Sequence, residues 1–286
     1  MKLNLDGAVA VITGAASGMG AELAVRMAAK GSRLALVDRD AAGLDGVSRR
    51  IAALHRAPLT THVADLADRA AIAALPDAVL AAHGKVTVLV SNAGVALAGP
   101  FDDYGPDDFE WLMDINFWAG IRLTTAFLPH LKRAPAAQIA YTSSVFGIVG
   151  VPGNVAYCAS KFAIRGFAEA VRQELAGTSV GITVIHPGGV NTAIARSARV
   201  ARGTDAAAAA EGLVQFEKLL RTPADKAAAA ILDGIERRRN RVLIGADARV
   251  LDWIQRLLPV GHAKLVARQA SGMPSSLAAQ LTRARP

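Results

Sequence analysis

Val9-Ala10-Val11-Ile12-Thr13-Gly14-Ala15-Ala16-Ser17-Gly18-Met19-Gly20-Ala21 decides the fold of this 286-residue chain. The apolar run Val9 to Thr13 reads as a buried strand, and Gly14, Gly18 and Gly20 then open a helical pattern from Ala21 to Lys30. Glycine in such a turn permits backbone angles and close approaches that a Cβ would block. Free amides at the start of the helix attract an anion. The turn is therefore expected to bind two linked phosphates through Gly14, Ser17, Gly18, Met19 and Gly20. Packing alone can also call for these glycines, but the strand before and the helix after favour binding.

Eighteen residues past Gly20, the second strand ends at Asp38. That is near the offset at which an acid accepts hydrogen bonds from an adenosine ribose. A carboxylate there repels a 2′-phosphate, so NAD is favoured over NADP. Arg39 pulls the other way, because its guanidinium pairs with that phosphate if Asp38 turns aside. The plainer alternative makes Asp38 a helix N-cap and leaves Arg39 solvated.

Six further aliphatic runs follow the first: Leu34 to Asp38, Thr61 to Asp65, Val86 to Asn92, Gln138 to Ser144, Ile182 to His186 and Val242 to Gly245. Continuous apolar strands imply burial on both faces, and the segments between them are long enough for right-handed helical crossovers. The expectation is an α/β, doubly wound Rossmann fold with a seven-stranded parallel sheet in one domain over residues 1–246, followed by a C-terminal helical extension, 247–286. Ala206 to Ala210 reads as loop leading into a helix around Gly212 to Leu220, and Ile194 to Arg221 as a lid over a substrate.

A hydrophobic share of 52% and mean hydropathy of +0.30 supply a sizeable core. The single cysteine, Cys158, excludes an intramolecular disulfide and suits a reducing compartment. With no secretory pattern at Met1 to Gly7 and no apolar run of about 18 residues, a cytoplasmic location is expected. The net charge of +8 is concentrated at the end: from Arg249 onward six basic residues face one acid, Asp252. No nucleic-acid-binding motif accompanies that charge, so nucleic acid is not an expected partner. Within the extension, Val250, Leu251, Ile254, Leu257 and Leu258 fall on one helical face beside Trp253, with Arg249 and Arg256 at polar positions. Self-packing or an oligomer contact ranks first for this stripe, and peripheral membrane attachment is the minority reading. A basic segment from His262 to Gln269 follows Pro259 and Gly261, and the last dozen residues are expected to be loose.

Further marks stand in fixed order: Asn92-Ala93-Gly94, Asn116, Ser144 within Thr142-Ser143-Ser144-Val145-Phe146-Gly147, then Tyr157 and Lys161. Tyr157 and Lys161, four apart on a predicted helix, share one face. With the glycine turn, this set resembles the short-chain dehydrogenase/reductase family over about Leu5 to Gly245. The resemblance implies that Asn116, Ser144, Tyr157 and Lys161 form the catalytic set. It also implies that Asp65 and Leu66 border the adenine, that Asn92, Ala93 and Gly94 support the central strand beside the cofactor, and that Pro187, Gly188, Val190 and Thr192 lie at the nicotinamide. Ser91 stands where that family usually has a first asparagine, with little effect expected while Asn92-Ala93-Gly94 is intact.

The residue types suit hydride exchange between a carbinol carbon and a nicotinamide. A proton must move at oxygen as the hydride moves at carbon, and a free phenol with a pKa of ~10 is a poor base at neutral pH. Lys161 and the positive ring favour the phenolate of Tyr157, and Ser144 would stabilise charge on the reacting oxygen. Lys161 would also hold the nicotinamide ribose, and Asn116 would anchor a water that relays the proton. Ser143, on the opposite face of the strand, is passed over.

The apolar Val95, Ala96, Leu97, Phe146, Ile148, Val149 and Ile194 suggest a hydrophobic secondary alcohol or ketone, with Phe146 and Ile194 joining Ser144 and Tyr157 around it. The six histidines lack metal spacing, and Cys158 has no histidine partner, so no metal or thiol chemistry is expected. The leading expectation is an NAD-dependent alcohol dehydrogenase or ketone reductase assembled as a homodimer or homotetramer. An NADPH-dependent 3-oxoacyl-thioester reductase is second, and a noncatalytic nucleotide-binding protein third.

Overall fold

The computed structural model describes residues 2–271 apart from Ala195. Seven strands form one parallel sheet: β1 (Val9–Thr13), β2 (Arg33–Asp38), β3 (Leu59–Val63), β4 (Val88–Ser91), β6 (Ala137–Thr142), β7 (Val180–Pro187) and β11 (Arg241–Ile244). Their order is β11-β7-β6-β4-β1-β2-β3. The chain runs outward from β1 to β3, returns to β4 on the other side of β1, and continues outward again. The direction of winding therefore reverses between β1 and β4, where open α/β sheets bind ligands at the strands' C-terminal ends.

Alternation along β1 divides the core. Ala10 and Ile12 face α1 (Gly18–Ala29), α2 (Ala41–Leu54) and α8 (Ala224–Glu236), where Leu23, Met27, Ile51 and Ile231 are buried. Val9 and Val11 face the layer of α3 (Arg69–His83), α5 (Ala119–Leu131) and α6 (Val155–Glu174), packed with Val79, Phe127 and Ile164. Every residue of β1 and β6 is buried, as strands covered on both faces require. The edge strand β3 departs from the expected continuous burial, because it has a strand neighbour, β2, on one side only. It also begins two residues earlier than the sequence suggests and ends at Val63, leaving Asp65 beyond it.

The stretch from Thr192 to Thr222 is more ordered than its composition implies. Here β9 (Arg199–Val200) pairs with β5 (Leu97–Ala98), and β10 (Thr222–Pro223) with β8 (Val190–Asn191). The alanine run is not loop: it opens α7 (Ala206–Glu217), as the high helix propensity of alanine favours. After β11, α9 (Ala246–Leu257) and α10 (His262–Ser271) complete the described chain. Gly272 to Pro286, including Arg283, Arg285 and the segment expected to be loose, lies outside the described residues.

Candidate active site

The glycine turn is built by contacts that leave no room for side chains. Gly14 and Gly18 have φ of +65° and +55°, and a Cβ on Gly20 would lie 2.0 Å from the Gly14 carbonyl oxygen. Ser17 occupies the N-cap of α1 without a side-chain cap, so the first-turn amides of Gly18, Met19 and Gly20 stay available for an anion. Asp38 Oδ2 accepts from the Ala16 amide at 3.0 Å and Oδ1 from the Asp40 amide at 3.1 Å. The N-cap of α2 is Asp40, which accepts from Gly43, so Asp38 is not that cap. Its carboxylate is instead fastened to the rim of the turn, while Arg39 is exposed.

Asn92 ties β1 to β4 and β6. Its Nδ2 donates to Thr13 O at 3.1 Å, its Oδ1 accepts from Thr142 Oγ1 at 3.3 Å, and the Thr13 hydroxyl accepts from the Asn92 and Ala93 amides. A Cβ on Gly94 would stand 3.2 Å from Asn116 Oδ1 and 3.3 Å from Lys161 Nζ, so the glycine lets both heads approach the strand end. Asp65 is exposed and accepts from the Ala67 amide, whereas Leu66 is buried. Across the sheet, Gly188 donates to Ile244 O, Val190 is buried, and the Thr192 methyl lies against Gly18. The strand ends thus bring the glycine turn, Asn92 to Gly94 and Pro187 to Thr192 together.

β6 ends at Thr142, and Ser144 caps the short 3-10 turn Val145–Gly147, accepting from Phe146 N at 3.1 Å. Its hydroxyl is also near enough to the Tyr157 phenol to act on it, lowering the phenol's pKa. Ser143 points elsewhere and donates to Lys161 O at 2.8 Å, so the two serines separate as the alternation expected. Lys161 is buried, donates from Nζ to Thr142 O at 3.0 Å, and lies 5.4 Å from the centre of the Tyr157 ring. Burial lowers its pKa to about 8. The same burial pushes the Tyr157 phenol up to about 12 against the opposing effect of Ser144. In the chain alone, therefore, Tyr157 is a neutral acid beside a cation.

Asn116 sits in a one-turn π-helix, Asp114–Trp118, between α4 (Pro106–Met113) and α5. Its Oδ1 accepts from Val95 N at 2.8 Å, and its Nδ2 donates to Val95 O at 2.9 Å and Ser160 Oγ at 3.1 Å. The carboxamide expected to anchor a water is thus engaged at both ends within the chain. Ser160, which sequence reasoning missed, completes that link by donating to Tyr157 O. His186 was missed too: it is fully buried, its Nδ1 lies 3.0 Å from Ser144 O, and its Nε2 has no partner. A carbonyl only accepts, so Nδ1 carries the proton. Neither role has a local signature, since both partners arrive through tertiary contact.

One wall near Tyr157 is apolar. Phe146 meets the Tyr157 ring edge-on at 6.0 Å, and Val95, Tyr104, Phe109 and Trp111 pack around buried Leu97 and Leu112. Ile148 and Val149, expected to line a pocket, are 2% and 1% exposed and belong to the interior. Ile194 is half-buried in the segment that leads to β9. Beyond it, Arg199 stacks 3.6 Å over the Trp111 ring and Thr204 donates to Asp103, which pins the start of the expected lid to the loop after β4.

Comparison with known proteins converges on one family. Residues 8–203 match the family model described as short chain dehydrogenase. The Mycobacterium tuberculosis protein SadH, an oxidoreductase by name, is 41% identical over 266 residues, covering 92% of this chain and 95% of that relative. A Burkholderia phymatum short chain dehydrogenase/reductase solved with NAD superimposes with a TM-score of 0.83 at 29% identity, over 90% of this chain and 95% of that one. A metagenomic short-chain oxidoreductase solved with NADP gives a TM-score of 0.70 at 30% identity, over 85% of this chain and 98% of that one.

Proposed function

From the premise that the chain belongs to the short-chain dehydrogenase family, and is an oxidoreductase of that kind, we propose that it exchanges a hydride between NAD(H) and a hydrophobic secondary alcohol or ketone. The observation that carries this reading is the approach of Ser144 to the Tyr157 phenol beside buried Lys161, at the C-terminal end of the sheet that also holds the glycine turn. The uncapped amides of Gly18 to Gly20 and the close fit around Gly14 suit a dinucleotide pyrophosphate. The nicotinamide, when bound, gives or takes the hydride. In the oxidative direction Tyr157 takes the hydroxyl proton as the carbinol hydrogen leaves with its electron pair, and in reduction it returns that proton. Ser144 directs its hydroxyl at the same oxygen and steadies its charge. Lys161 supplies the positive charge that brings the phenol towards ionisation, and Asn116 holds Val95 and Ser160 so that the helix bearing Tyr157 keeps its place.

The two amides holding Asp38 support NAD, because a fastened carboxylate cannot swing aside for a 2′-phosphate. The aromatic and aliphatic wall supports a hydrophobic substrate over a charged thioester carrier. Exposed Trp118 and Phe162, on helical segments that pack together, support assembly into a homodimer or homotetramer. The test is a panel of alcohols and ketones assayed with NAD and NADP for the wild type and Tyr157→Phe. Turnover should fall by ~10² to 10⁴ in the variant while NADH binding stays near wild type. A variant that keeps half the activity rejects Tyr157 as the proton carrier.

A further inference from the structure

We propose that α9 and the first turn of α10 form a docking surface for an anionic lipid bilayer. The orientation of α9 is the starting point. It meets the domain through its small and polar edge: Ala248 is fully buried, and Asp252, also buried, accepts from Arg241 at 2.6 Å and Arg256 at 3.1 Å. At 100° per residue, Val250, Trp253 and Leu257 lie opposite that edge. They are 55%, 63% and 71% exposed, and Leu258, Val260 and Leu265 extend the apolar surface beyond the helix end. A surface helix ordinarily turns its apolar stripe inward. This one turns it out.

Charge selects the occupant. From Arg249 to the end of the chain Asp252 is the one acidic residue, and it is spent inside the helix contact. Arg249 and Lys264 remain exposed beside the apolar side chains. A second copy meeting this face by a two-fold axis would set cation against cation, while the two carboxylates of α9 are already engaged, Asp252 by Arg241 and Arg256 and Asp247 by the Gly189 amide. An anionic headgroup layer answers them, while the acyl boundary receives Trp253 and Leu257. The surface also adjoins the site: the Asp247 carboxylate, in the first turn of α9, accepts from the Gly189 amide in the segment expected at the nicotinamide. Among the described residues no helix is long and apolar enough to cross a membrane, so the contact is peripheral. The inference stands on this surface and does not depend on the assigned reaction.

Sedimentation of the full chain with vesicles of equal parts phosphatidylcholine and phosphatidylglycerol, and with phosphatidylcholine alone, tests it. At physiological salt the chain should pellet with the anionic vesicles, at least about tenfold more strongly than with the zwitterionic ones, and release at about 1 M salt. Trp253→Ser with Leu257→Ser should abolish pelleting. Arg249→Glu with Lys264→Glu should weaken it by about tenfold or more, and both pairs alter only exposed side chains. Recovery of the wild type wholly in the supernatant overturns the proposal, as does pelleting that neither double variant changes. An oligomer that dissociates without lipid in the Trp253→Ser, Leu257→Ser variant makes a second copy the occupant and overturns it equally.

Discussion

Asp38 closes β2 beside the exposed guanidinium of Arg39. Its position at the end of β2 is where an acid is expected to meet an adenosine ribose, but whether it can turn away depends on two amides that no spacing reveals, those of Ala16 and Asp40. Replacing it should expose the opposing influence of Arg39. Asp38→Ser removes the repulsion and leaves the guanidinium free for a 2′-phosphate, while Asp40 still caps α2. The expected result is a shift in the ratio of kcat/KM for NAD to that for NADP by at least about tenfold towards NADP, or ~1.4 kcal/mol, measured with one substrate and both cofactors. A wild type that already prefers NADPH would sink the role given to Asp38. The shared helix face of Tyr157 and Lys161 and the separation of Ser144 from Ser143 were legible because helical spacing and strand alternation are local rules, whereas their catalytic roles rest on the family resemblance. Ser160 and His186 were not, because each acts through a partner that tertiary packing supplies.

Elements were legible where propensity and tertiary context agree. β1 and β6 read as buried strands and are buried throughout, whereas the alanine run, expected as loop, forms the first turn of α7, as its propensity favours. The expected lid now has a fastened end and a helix. Pairing of Arg199 and Val200 with Leu97 and Ala98 anchors the start, and α7 follows beyond that clasp. If α7 gates a site, the amides of residues 206–217 should exchange with solvent hydrogen much faster than those of β1 in the free protein and slow when NADH and a ketone are bound together. Slow exchange without ligands, unchanged on adding them, would count against gating. The hold on α9 gives a second expectation at this scale. Asp252→Ala leaves the Arg241 guanidinium half-buried without its carboxylate, and breaking such a pair should cost about 3 kcal/mol in urea unfolding. A loss below about 1 kcal/mol would mean that Ala248 and the backbone suffice to hold the helix.

For the molecule as a whole, the seven strands and their parallel sense followed from apolar runs and crossover lengths. Their order did not, because it depends on which face each helix covers, and that is settled by packing among Leu23, Ile51, Phe127, Ile164 and their neighbours. The same packing confers a pH dependence on stability. His186 is enclosed by β7 and its neighbours with Ser144 O on one side and Arg241, Arg165 and Glu169 within electrostatic reach, and desolvation lowers its pKa to about 4 from the ordinary imidazole value of 6.5. The folded chain therefore refuses a proton that the unfolded chain accepts as pH falls through 6.5. Stability is fully present above that value and declines until about pH 4, a loss of ~3 kcal/mol. His62 and His83 are lowered by burial in the same direction, so the wild type alone cannot isolate the effect. His186→Asn can, since its amide nitrogen takes the place of Nδ1 and keeps the donor to Ser144 O without a group that titrates in this range. Urea denaturation at intervals from pH 7 to 4 should show the difference between wild type and variant changing by ~3 kcal/mol, with a slope no steeper than one proton. Parallel stability curves would show that His186 takes up its proton in the folded chain at the same pH as in the unfolded one, and below that pH the hydrogen bond to Ser144 would have to be carried by an imidazolium.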